Sequence, residues 1–142
     1  MINSIYNKDV IKLAADISGL EQIDNACSRI SLRSPLCGSS IEVAIVVKDN
    51  IISGYSQKIT ACALGQASAS IMANAVKGKS RNHIITVRDQ VKVMLNSGII
   101  NLERDWIQLD CLAPAREAKA RHGAILLPFD AVLKAFEECE NN

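Results

Sequence analysis

The chain has 142 residues with 49% hydrophobic and 4% aromatic content, and 16 basic against 15 acidic side chains leave a net charge of +1 at pH 7. That length suits a single domain, 1–142, able to bury its own core without disulfides, while near-neutral charge and few rings exclude the footprint of a nucleic-acid binder. The first residues lack the basic start and unbroken apolar run of a secretory signal, and about 18 successive apolar residues occur nowhere, which predicts a cytoplasmic chain without a membrane segment.

In chain order, Asn7 or Ser4 can cap a short helix through Val10, Ile11, Leu13 and Ala14, with Gly19 to stop it. Residues 26–32 alternate enough for a strand. Stronger strands are predicted over 41–47 and 51–59, both rich in β-branched residues, with turn chemistry at Lys48-Asp49-Asn50. Everything after Cys62 reads as helix. The first runs over 63–76 on small side chains and is ended by Gly78. The second begins at a Ser80 cap, carries Ile84, Val87, Val91, Met94 and Leu95 at helical spacing, and ends at Gly98. A third covers 106–120 and a fourth 124–138, with Pro128 in the first turns of the last. Together these predict an α+β fold, a small antiparallel sheet covered by helices.

Few polar groups suit chemistry. Cys37 precedes one strand of the hairpin and Cys62 follows the other, so a tight turn brings both to the same end of the sheet, where a metal or a sulfur atom can bind. The competing reading is that both are ordinary buried cysteines. Five cysteines is an odd number, and in a reducing compartment such thiols are more often buried, catalytic or metal-bound than bridged. Gly78-Lys79-Ser80 ends like a phosphate-binding loop, but the full pattern needs glycine where Ala73 stands and a preceding strand, so it reads as a helix stop followed by a cap. No serine lies in a nucleophile-elbow sequence.

The run Pro35-Leu36-Cys37-Gly38, two strands, Cys62 entering a helix rich in Ala and Ser, and Val76-Lys77-Gly78-Lys79-Ser80 together resemble the iron–sulfur cluster scaffold family of the NifU N-terminal, IscU and SufU type. The resemblance spans about 6–136. It implies a three-stranded sheet packed with about four to five helices and a cluster site at one end. Cys37 matches the first family cysteine and Cys62 the second, while the usual aspartate is here Ser39. If His122 is aligned with the family histidine, the third cysteine falls on Gly123; the other alignment puts it near Ala124.

The ligand set so implied is Cys37, Cys62 and His122, holding a transient Fe–S cluster, of the 2Fe-2S kind, or a zinc ion. The implied role is not enzymatic. The implied partners are a cysteine desulfurase, client apoproteins and a dedicated chaperone, the last because Leu112-Ala113-Pro114-Ala115-Arg116 is similar to the Leu-Pro-Pro-Val-Lys segment of IscU-type scaffolds. A proline kink between helices is the other reading of that stretch. The alternative for the whole chain is a divergent zinc-binding or metal-free binding or regulatory member. Cys27, Cys111 and Cys139 match no family ligand and are expected to be structural or incidental, and His83 is expected at the surface.

Overall fold

The computed structural model describes residues 5–35 and 38–140. Helix α1 (Lys8–Ala15) starts where Asn7 Oδ1 accepts from the Val10 amide at 3.0 Å, and the same side chain donates through Nδ2 to the Cys111 carbonyl at 2.9 Å. The helix stops at Asp16, before Gly19. Gly19 serves a close approach instead: a Cβ there would lie 2.9 Å from that of Ala73, and the Gly19 carbonyl accepts from the Gln57 amide.

Three strands, β1 (Ser28–Arg33), β2 (Ser40–Lys48) and β3 (Ile51–Thr60), form an antiparallel sheet in the order β1-β2-β3. The β2–β3 turn is tight because Asp49 and Asn50 both adopt positive φ, 53° and 65°, a conformation that these short polar side chains tolerate. At the opposite end Arg33 pairs with Ser40 and Ser40 with Thr60, which puts the β1–β2 loop beside the exit of β3.

Helix α2 (Ala63–Ala75) is central, and its small residues explain how. Gly65, Ala67, Ser68, Ala69 and Ser70 are all buried, so neighbours approach from several sides. Its two hydroxyls find acceptors on two other helices: Ser70 Oγ donates to the Leu13 carbonyl at 2.7 Å, and Ser68 Oγ to the Ile125 carbonyl at 2.6 Å. Helix α3 (Arg81–Ser97) has the predicted signals at both ends, with Ser80 Oγ accepting from the His83 amide at 3.2 Å and Gly98 in the left-handed conformation.

The predicted helix over 106–120 is not α-helical. Arg104–Glu117 and Lys119–Arg121 are wound as 3₁₀ turns. The buried residues Trp106, Leu109, Leu112 and Ala115 recur every third position, which suits three residues per turn, and Pro114 has no N–H for an α-helical bond. Helix α4 (His122–Glu140) starts earlier than expected, leaving Pro128 beyond the first turn, where it offers no N–H to the Ala124 carbonyl. The Ser68 bond to the next carbonyl pins α4 to α2 at this point.

Trp106 and Phe129 pack with ring centroids 5.8 Å apart in the core between the 3₁₀ stretch and α4. His83 is not a solvated surface residue: its Nε2 lies 3.0 Å from the indole Nε1 of Trp106, whose N–H it accepts, and 3.3 Å from Glu103. Two of the cysteines expected to be structural or incidental form a disulfide. Cys27–Cys139 spans 112 residues of sequence and ties the approach to β1 to the last turn of α4. No helix among the described residues is long and apolar enough to cross a membrane.

Candidate metal and sulfur site

The β2–β3 register builds the candidate site. Because Ser40 pairs with Thr60, the 34–39 loop and the β3–α2 junction leave the sheet side by side. The loop is closed by its backbone: the Ser34 amide donates to the Ser39 carbonyl at 2.7 Å and the Gly38 amide to the Ser34 carbonyl at 3.1 Å. Gly38 takes φ +71°, which glycine adopts without strain. Ser34 and Ser39 are both 4% exposed. Cys37 itself lies outside the described residues.

Cys62 is half-buried at the N-cap of α2, and its side chain makes no capping bond. First-turn amides and the positive end of the helix dipole therefore face this position, an environment that favours anionic cargo. The third element is the start of α4. A Cβ on Gly65, in the first turn of α2, would lie 3.3 Å from both the Cβ and the carbonyl oxygen of Ala124, so the two helix starts touch.

Gly123 abuts the loop. A Cβ at 123 would stand 2.7 Å from Ser34 Oγ, closer than real Cβ contacts allow. Of the two positions open to the third family cysteine, 123 therefore faces the 34–39 loop, whereas Ala124 is buried against α2. Ser34, which sequence reasoning passed over, occupies the space that a thiol at 123 would need.

His122 sits next to this contact, half-buried. Its Nε2 is 3.0 Å from the Ala115 carbonyl and 3.1 Å from the Arg116 carbonyl. Both partners are acceptors, so Nε2 carries the proton and Nδ1 is the ring nitrogen left for a metal in the neutral imidazole. Among the described residues no three His, Cys, Asp or Glu side chains gather closely enough to hold an ion.

The remaining thiol has a different character. Cys111 is buried, and burial, followed by the charges of Asp110 and Asp9, pushes its pKa up to about 12, so it stays protonated and inert. The stretch similar to a chaperone-binding segment is split between core and surface: Leu112 and Ala115 are fully buried, while Pro114 and Arg116 are exposed. The phosphate-loop lookalike is structural, since Ser80 caps α3 and Lys79 Nζ pairs with Asp105 at 2.7 Å.

The fold and the placement of Cys62 define the class of this protein. Residues 5–117 match the NifU-like N-terminal domain, and the chain belongs to that family. It is similar to the crystal structure of the N-terminal part of a nitrogen-fixing NifU-like protein from Brucella abortus, at 32% identity over 99% of this chain and 98% of that one, with a TM-score of 0.93. A putative iron–sulfur cluster assembly scaffold protein for the SUF system from Fervidobacterium islandicum shares the fold at 17% identity, over 93% of this chain and 96% of that one, with a TM-score of 0.80. A hypothetical protein, at 21% identity over 91% and 94%, gives 0.82. No curated protein matches.

Proposed function

We propose that this chain is an iron–sulfur cluster assembly scaffold that holds a transient cluster, of the 2Fe-2S kind, or its metal or sulfur precursor on Cys37 and Cys62, with His122 as a third ligand. One observation supports the reading most directly: Ser40, three residues after position 37, pairs with Thr60, two residues before Cys62. Family membership supports the scaffold role in general terms. The protein acts in the cytoplasm by binding and passing on its cargo, without turning over a substrate of its own.

The sulfur partner is a cysteine desulfurase. A scaffold thiolate attacks the outer sulfur of the desulfurase persulfide, the sulfur–sulfur bond breaks, the desulfurase cysteine leaves as a thiolate, and the scaffold thiol becomes the persulfide. With Ser39 in place of the carboxylate and Gly123 in place of the third thiol, two thiolates and one imidazole leave a four-position cargo short of a ligand. Exchange to client apoproteins is favoured over storage. The exposed Pro114 and Arg116 are what this surface offers a dedicated chaperone.

A second reading, a divergent member holding zinc or no metal, is favoured by the Ser34–Gly123 contact, which sets a serine hydroxyl where a third thiol would begin. Anaerobic reconstitution with ferrous iron and sulfide, followed by desalting and metal and acid-labile sulfide analysis, separates the two. Iron with sulfide retained by the wild type, lost in Cys37→Ala and Cys62→Ala, and reduced in His122→Ala is the expected result. Zinc alone, or no metal, selects the second reading. Full retention by the double Cys37/Cys62 variant means that the site is elsewhere. Protons compete with metal for thiolate and imidazole, so retention falls as pH is lowered.

A further inference from the structure

We propose that the Cys27–Cys139 disulfide is a thiol-exchange site, opened and re-formed in the folded protein by low-molecular-weight monothiols. The bond lines an open cleft of about 540 Å³, a volume in the range of small-ligand sites, and both cysteines are partly exposed. A small thiol can reach the sulfur atoms without unfolding the chain.

Two features of the surroundings fit exchange better than a purely structural bond. Arg81 lines the same cleft, with Nη1 3.1 Å from Glu140 and Nε without a hydrogen-bond partner. Glu140 lines the cleft too, and the guanidinium offsets the repulsion that this carboxylate would exert on an incoming or departing thiolate. The helix is also held without the bond. Ile125, Phe129, Val132 and Phe136 anchor α4 in the core, and the Cys27 amide donates to the Ile45 carbonyl at 2.9 Å. Opening therefore frees only the last turn of α4 and leaves the two thiols near enough to rejoin.

The chemistry balances with two equivalents of thiol. A thiolate attacks one sulfur of the bond, forming a mixed disulfide and expelling the other cysteine as a thiolate, which takes up a proton. A second thiolate displaces the first protein sulfur, leaving Cys27 and Cys139 as thiols and the small molecule as its own disulfide. Re-oxidation runs the same steps backwards.

The test equilibrates the full chain, purified without reductant, in glutathione buffers from oxidising to reducing, followed by acid quench, alkylation and peptide mapping. Cys27 and Cys139 are expected to label together as the buffer becomes reducing and to lose the label when it is reversed, with Trp106 fluorescence unchanged throughout. Opening should lower the melting midpoint by roughly 10 °C, given the length of the closed loop, and a Cys27→Ser/Cys139→Ser variant should melt at the lower value in every buffer. Arg81→Gln should slow opening several-fold at low ionic strength. A bond that yields only when Trp106 fluorescence reports unfolding, cysteines that never bridge, or an Arg81→Gln rate equal to wild type overturns the proposal.

Discussion

A side chain at position 123 would begin 2.7 Å from Ser34 Oγ, so that hydroxyl would have to shift to admit it. Gly123→Cys should therefore destabilise the protein by about 1–3 kcal/mol in a denaturant titration, as overpacking does. Adding Ser34→Gly should recover much of that loss. Cys111 allows a second residue-scale prediction. Its thiol titrates near 9 in the unfolded chain and at about 12 in the folded one, so the stability it lends is complete below pH 9 and is lost as pH rises toward 12. Cys111→Ala should remove up to about 1.4 kcal/mol per pH unit from the decline over that window, measured by urea unfolding. At neutral pH an alkylating reagent should reach Cys62 in the native protein and Cys111 only after unfolding. At this scale the sequence revealed the place of Cys62 at a helix start, because a cysteine at the entrance to a small-residue helix is a local pattern. It concealed the Ser34–Gly123 contact, which joins two segments far apart in the chain.

Among the elements, local signals were reliable wherever they had a local cause. The hairpin turn, the Ser80 cap and the Gly98 stop are each set by residues at the spot, and β2, β3 and α3 lie close to where pattern alone put them. Ser80→Ala should accordingly cost about 1 kcal/mol in chemical unfolding. Ser68→Ala should cost a comparable amount, about 1 kcal/mol, because it removes a buried hydrogen bond between α2 and α4. The 3₁₀ stretch was misread because an apolar pattern near period three resembles one near 3.6 over a few turns. Trp106, Leu109, Leu112 and Ala115 at strict three-residue spacing, with Pro114 among them, carried the distinguishing information. The early start of α4 was hidden by Gly123, which ordinarily argues against helix and here permits a close approach.

The whole molecule depends on one continuous core, in which α2 contacts both α1 and α4 through buried hydroxyls and small side chains. Its single tryptophan, Trp106, is fully buried in that core and reports on it. Unfolding followed by tryptophan emission and by far-ultraviolet circular dichroism, with the disulfide intact, should therefore give coincident transitions. Separate transitions would mean that 1–142 does not unfold as one domain. Composition made a self-sufficient core legible, but it gave no hint of a bond between residues 112 apart, since pairing of cysteines depends on where the chain ends meet in space. Helix α4 has a consequence at this scale. Its 19 residues extend over roughly 28 Å, with His122 at one end and Cys139 near the other. The proposed cargo site and the proposed exchange site thus stand at opposite ends of one helix, a separation that would keep a small thiol at one end away from cargo at the other.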